Sequence, residues 1–178
     1  MKNIILILVA LFCFTSCTQN DVEISNQYVY NGRGGIKCEV DGVLLKPSTA
    51  IIYSNAELRF DSDNNNINFM SISFHNSNTS TGLGFQSVRV KIMNVNSNTD
   101  LKGNIYSLKD EINNESFGNY FREDLDDKYR TNNIVNGELK VLYHDLKKSK
   151  VGGTFWFDAI NDKGVIVKVR NGQFDLTN

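Results

Sequence analysis

The chain of 178 residues carries 19 Lys and Arg side chains against 20 Asp and Glu side chains, which gives a formal net charge of −1 at neutral pH. This balance lacks the excess of positive charge on which nucleic-acid binding depends, so it argues against nucleic acid as a partner. The length corresponds to one domain. Beyond the N-terminus, no apolar run is long enough to cross a bilayer.

The N-terminus predicts a secretory signal peptide over residues 1–16. One positive charge at Lys2 is followed by an apolar run at residues 4–14. The run is shorter than the ~20 residues of a bilayer-spanning helix and typical of a signal peptide. Signal peptidases accept small residues just before the cut, and Ser16 before Cys17 meets this requirement.

The stretch Phe14-Thr15-Ser16-Cys17 resembles a bacterial lipobox, with Phe14 in place of the usual leucine. The resemblance implies that Cys17 carries a diacylglycerol, with palmitate-type chains, and becomes the first residue of the mature chain. Two or three acyl chains anchor a protein stably, whereas one binds a membrane only marginally. The expected location is therefore the inner or outer membrane of the cell envelope. An ordinary signal peptide with an incidental cysteine is the alternative.

Residues 17–35 are polar and end in glycines, and we interpret them as the lipidated cysteine and a flexible tether. A single domain is expected over residues 36–178. Near its start, Cys38 alternates with polar neighbours, which predicts a buried thiol on a strand. With Cys17 lipidated, Cys38 has no partner for an intramolecular disulfide.

Residues 36–93 predict a series of strands joined by polar turns. Asp41-Gly42 is a strong hairpin signal. Alternating apolar residues at 70–74 and 88–92 are typical of half-buried strands. The strands predicted in this part are residues 36–40, 43–46, 50–53, 57–60, 70–74 and 88–92.

Metal ligation finds little support. Residues 61–66 resemble the start of an EF-hand loop, but Asn66 stands where a glycine is required and Ile72 where the closing glutamate is required. A polar hairpin tip is predicted instead. The two histidines, His75 and His144, end separate predicted strands and have no zinc-site spacing. We predict no metal, no cofactor and no catalytic residue.

Residues 104–133 have an ambiguous pattern. Apolar residues at helical spacing compete with a strand at residues 104–108, and we favour the strand. The acidic residues of 123–127 lie between two strand-like stretches, which predicts a hairpin with a solvated turn. A hydrolase that uses these acids is the alternative, because paired carboxylates perform acid–base chemistry.

The C-terminal third predicts a meander of antiparallel strands. A polar turn at Asn161-Asp162-Lys163-Gly164 interrupts the alternation, and Asn171-Gly172 predicts a two-residue type I′ hairpin, since both of its positions need positive φ. The strands predicted here are residues 139–143, 153–160, 165–170 and 173–176. About nine or ten strands without a long amphipathic helix predict an all-β antiparallel sandwich or flattened barrel.

Trp156 is the candidate for ligand contact. Alternation places Phe155 and Phe157 on one face of their strand and Trp156 on the other. An outward indole can stack on a sugar or an apolar molecule, and packing within the fold is the alternative.

Three motifs of the chain together carry a resemblance to a known family. A strand, Asp-Gly and a second strand begin at residues 36–42, a Gly-x-x-Tyr-x-Leu strand lies within residues 101–108, and a Gly-Thr-Phe-x-Phe strand with Asn-Gly-x-Phe follows within residues 136–176. They resemble small cell-envelope lipoproteins of the Bacteroidetes type, whose function is unknown. The resemblance implies a lipid-anchored all-β domain and carries over no catalytic residue.

The functional prediction is a lipid-anchored envelope lipoprotein, held by Cys17, that acts as a non-enzymatic binding or structural accessory protein. Its expected partners are the membrane and an envelope protein, a glycan or an apolar ligand. One alternative is a carrier that holds an apolar ligand or glycan near Trp156. The other is a hydrolase that uses residues 123–127.

Overall fold

The computed structural model describes residues 28–48, 55–77 and 83–178. The predicted signal peptide, Cys17 and the strand predicted at residues 50–53 lie outside the described residues. No helix in the described part is long and apolar enough to span a bilayer.

Eleven strands account for most of the described residues. They are β1 (Gly35–Val40), β2 (Val43–Leu45), β3 (Ala56–Ser62), β4 (Asn68–Asn76), β5 (Gln86–Met93), β6 (Ile105–Leu108), β7 (Phe117–Arg122), β8 (Asp127–Arg130), β9 (Gly137–Asp145), β10 (Lys150–Ile160) and β11 (Ile166–Thr177). Three single turns of 3₁₀ helix, Glu111–Asn113, Glu123–Leu125 and Leu146–Lys148, connect some of them. The strand predicted at residues 104–108 and the later hairpin with its acidic turn are confirmed.

The strands form one antiparallel sheet that curls into a half-barrel. Its main order is β2-β1-β11-β10-β8-β7-β5-β4-β3, and β9 and β6 form a branch beside β10. The sheet divides along β10, which pairs with β9 over Lys150–Phe157 and with β8 at Ile160. The predicted all-β antiparallel class is confirmed. Of the two predicted forms, a sandwich and a flattened barrel, the curled sheet is closer to the barrel.

The core fills the inner face of the curled sheet with alternate residues of nearly every strand. Its largest fully buried side chains include Phe74, Phe157 and Phe174. Cys38 is fully buried among them, as predicted, and burial raises the pKa of its thiol to about 12. A thiol so protonated at neutral pH is a poor nucleophile.

The β1–β2 hairpin forms as its sequence predicts. Asp41 and Gly42 both adopt positive φ, at 49° and 81°. Two successive residues of this kind give the type I′ turn, whose twist matches the flanking strands.

The hairpin predicted at Asn171-Gly172 is wrong, because both residues lie inside β11. Asn171 has a φ of 52°, but Gly172 is not in the positive-φ region, so the chain does not reverse. The register instead slips opposite Trp156, as in a β-bulge. Glycine is needed at position 172 for another reason, since a Cβ there would overlap the carbonyl oxygen and ring of Phe155.

Residues 28–34, called the docked segment below, lie against the sheet. The buried carboxylate of Asp175 accepts hydrogen bonds from the backbone N–H groups of Asn31 at 3.0 Å, Gly32 at 2.6 Å and Gly34 at 3.2 Å. Tyr30 packs over Gly152, where a Cβ would overlap its ring. The part of the predicted tether that the structure describes is therefore held by the domain.

Candidate ligand-binding groove

A groove of about 630 Å³ lies on the outer face of β4, β5, β7 and β8. Phe74, Val88 and Tyr120 of these strands are buried in the core, so their neighbours in sequence face outward. Glu111 and Ile112, from the turn before β7, complete the lining. The volume is in the range of small-molecule sites, roughly 300–1,000 Å³.

Strand register arranges the outward side chains in two rows across the four strands. The first row is Ser73, Arg89, Asn119 and Arg130, and the second is His75, Ser87, Phe121 and Lys128. Neighbouring strands lie about 4.8 Å apart. Arg89 and Arg130, separated by one strand, are therefore anchored about 10 Å apart in the first row.

Three cations in the groove have no acidic partner. Arg89, Lys128 and Arg130 are exposed, and none of them forms an ion pair with the described residues. Among the lining residues only Glu111 is acidic. We call this site the cationic groove, because its excess of positive charge produces a positive potential that attracts anions.

The next cations along the same face are already engaged. The ammonium of Lys91 lies 4.0 Å from the centre of the Phe69 ring. Arg59 forms an ion pair with Asp61. Along this face, the neighbouring cations Lys91 and Arg59 thus differ from those of the cationic groove, which have no such partner among the described residues.

Aromatic rings form one end of the cationic groove. The Phe85 ring stacks on His75, with ring centres 5.4 Å apart, and lies 6.2 Å from Phe121. Glu123 holds Phe85 in place, because its carboxylate accepts from the Phe85 N–H at 2.8 Å while its own N–H donates to the Phe85 carbonyl at 2.9 Å. One of the predicted acids thus positions the aromatic end.

Neutral polar groups separate the cations. The side chains of Ser73, Ser87 and Asn119 form no hydrogen bond with the described residues. Hydroxyl and amide groups both donate and accept, so they are available to a ligand or to water.

The outward orientation of Trp156 is confirmed, since Phe155 and Phe157 are buried while Trp156 is 39% exposed. It lines a shallow depression rather than the cationic groove. The Arg170 guanidinium lies 5.3 Å from its ring centre, forms an ion pair with Asp158 and donates to the Phe157 carbonyl at 3.0 Å.

Three acids of residues 123–127, namely Glu123, Asp124 and Asp127, have separate structural partners. Asp124 accepts two hydrogen bonds from Arg122, at 2.8 and 2.7 Å, and Asp127 accepts from Lys163 at 2.9 Å. The Arg122 guanidinium lowers the pKa of Asp124, and the Lys163 ammonium lowers that of Asp127. Neither carboxyl has the raised pKa that a general acid needs at neutral pH.

Histidine and acidic side chains form no metal-binding group of three or more among the described residues. His144 is buried and its Nδ1 accepts from the Leu101 N–H at 2.9 Å, whereas His75 stacks in the cationic groove. The polar hairpin tip predicted at residues 61–66 is confirmed between β3 and β4, where Asp63 accepts from backbone N–H groups.

The cationic groove was not predicted from the sequence. Alternation does place Arg89 on the outer face of its strand, and the same pattern can be extended to Lys128 and Arg130 around the buried Tyr129. Their convergence depends on the pairing of β5 with β7, which are separated by β6 and a long connection. No local signal reports that pairing.

The chain matches no protein-family model, and no significant match was found among curated proteins or solved structures.

Proposed function

We propose that this protein is a lipid-anchored, non-enzymatic binding protein of the cell envelope whose ligand occupies the cationic groove. The observation that carries the proposal is the set of three cations without an ion pair among the described residues, Arg89, Lys128 and Arg130. They lie on the strands either side of β7, beside an aromatic end. Like charges held close together repel, and an anionic ligand removes that repulsion. Exposed ion pairs are individually weak, so several must act together with the aromatic contact.

Lipidation of Cys17 supplies the anchor in this proposal. The docked segment leaves only residues 17–27 between the anchor and the domain. Even fully extended, these 11 residues reach at most roughly 36–40 Å. The cationic groove would then work close to the membrane surface.

The alternatives differ in their support. Binding of a glycan suits the charged and hydrogen-bonding lining of the cationic groove. An apolar cargo does not, because side chains of the core fill the inner face of the curled sheet. The hydrolase stays a prediction that no observed arrangement of the acids favours.

Native mass spectrometry of the full-length protein, extracted from its own membrane in mild detergent, tests the proposal. We expect the mass of residues 17–178 with acyl chains and a retained ligand. A groove variant with Arg89→Gln, Lys128→Gln and Arg130→Gln should keep the acyl chains and lose the ligand.

A matched control removes the same charge elsewhere. Lys37, Lys102 and Lys168 are exposed and lie outside the groove lining, so their replacement by Gln should leave the ligand bound. Equal loss in both variants would mean that net charge, not the cationic groove, retains the ligand. A cleaved chain without acyl groups would contradict the anchor.

A further inference from the structure

We infer that the cationic groove binds an acidic oligosaccharide, a sugar chain with at least two carboxylates, lying across β5, β7 and β8. This inference rests on the proposed function and specifies the ligand. Three features of the described residues carry it: the spacing of the cations, the neutral polar groups between them and the aromatic end.

The spacing of the cations favours an extended ligand with several charges. The backbone positions of Arg89 and Arg130 are about 10 Å apart, and Lys128 is two residues along β8 from Arg130, about 7 Å away on the same face. A ligand with charges along its length can give each of the three cations a separate anionic group, which a compact anion cannot do. The two guanidinium groups are suited to carboxylates, which they bind through paired hydrogen bonds.

The groups between the cations favour a ligand rich in hydroxyls. Asn119 lies between Arg89 and Arg130 in the first row, and Ser87 stands beside Phe121 in the second. Each offers a donor and an acceptor with no described partner. A sugar hydroxyl can use both functions at once, while an acidic peptide side chain or a phosphate at neutral pH mainly accepts.

The aromatic end favours a ring with an apolar face. Phe121 in the second row and Phe85 beside it are partly exposed. The C–H face of a sugar ring packs against such an aromatic surface while its hydroxyls point to the polar groups. Because Arg89, Lys128 and Arg130 are exposed along the cationic groove, a chain can lie in it without being enclosed.

Calorimetric titration of the full-length protein in mild detergent tests the inference, with tetragalacturonate as the probe. An uncharged galactose tetramer, a glutamate tetrapeptide and inorganic phosphate are the comparison ligands. We expect tetragalacturonate to bind roughly 10- to 100-fold more tightly than the uncharged tetramer, as two or three exposed ion pairs acting together imply. The groove variant should lose that advantage, and the Lys37, Lys102 and Lys168 control variant should keep it.

A second variant separates a sugar from a general polyanion. Ser73→Ala with Ser87→Ala leaves the charge unchanged and should weaken tetragalacturonate several-fold without affecting the glutamate tetrapeptide. Equal affinity for tetragalacturonate and either the tetrapeptide or phosphate overturns the inference, as does the absence of tetragalacturonate binding. Native mass spectrometry distinguishes the two proposals, since a groove-dependent ligand that is not a sugar would overturn this inference and leave the proposed function standing.

Discussion

Two regions on the outer face of the sheet combine an aromatic ring with cations, and they differ in how those cations are used. Beside Trp156, Arg170 is held by Asp158 and by the Phe157 carbonyl. In the cationic groove, Arg89 and Arg130 have no ion-pair partner among the described residues. The cation beside Trp156 is therefore engaged within the fold, while those of the cationic groove have no counter-charge among the described residues.

The largest effect is expected from a substitution at Gly172, which lies opposite Phe155 and next to the Trp156 region. Gly172→Ala places a methyl group against the Phe155 carbonyl and ring, and we expect a loss of about 2–3 kcal/mol in the free energy of unfolding. Asn171→Gly is the control, because glycine accepts the positive φ at that position. Urea denaturation measures both, and equal stability of Gly172→Ala and wild type would contradict the packing argument.

Asp175→Asn should release the docked segment at the other end of β11. The Asp175 carboxylate accepts hydrogen bonds from three backbone N–H groups, and the amide replaces one of its two acceptor oxygens with a donor. We therefore expect a loss of about 2 kcal/mol in the free energy of unfolding. Hydrogen exchange at Asn31 and Gly32, and trypsin cleavage after Arg33, should both become faster. Unchanged exchange would show that Tyr30 packing alone holds the segment.

Two substitutions with smaller expected effects compare the two regions directly. Arg170→Gln leaves Asp158 without its cation and should lower the free energy of unfolding by about 1 kcal/mol. Arg89→Gln removes no such contact, and the expected change is within about 0.5 kcal/mol in either direction. Equal losses in the two variants would remove the distinction between a structural region and a binding region.

The smallest effect concerns the pH dependence of stability. Because the Lys163 ammonium lowers the pKa of Asp127 in the folded protein, the pair stabilises the fold above the unfolded pKa of about 3.9. That contribution is lost as the pH falls through the folded pKa. Asp127→Asn should therefore be slightly less stable than wild type at pH 7, and the difference should disappear in acid. A stability difference between the two proteins that does not change with pH would contradict this assignment.

Local pattern predicted the strands well. The alternation around Ile72 and Val90 depends only on which residues face the core, and Asp41-Gly42 depends only on the φ angles of two residues. Asn171-Gly172 is a case in which the local pattern is not sufficient to predict the structure. The same residue pair forms a bulge when the flanking strand continues and a buried Phe155 needs the space beside the glycine.

The candidate site could not be predicted to the same extent, because its geometry is non-local. Arg89 and Arg130 come together only through the pairing of β5, β7 and β8. The docked segment depends likewise on Asp175, 144 positions from Asn31. A tether and a docked segment have similar composition, so the sequence alone does not distinguish them.

The pairing of β1 with β11 has a consequence for the order in which the protein can fold. The first strand can pair with β2 early, but its other edge and the docked segment bind to β11 and must wait until residues 166–177 have been made. Such distant contacts slow folding. A chain that emerges N-terminus first can pair β3, β4, β5, β7 and β8 among themselves. It cannot complete the β1 end of its sheet until its last residues are free.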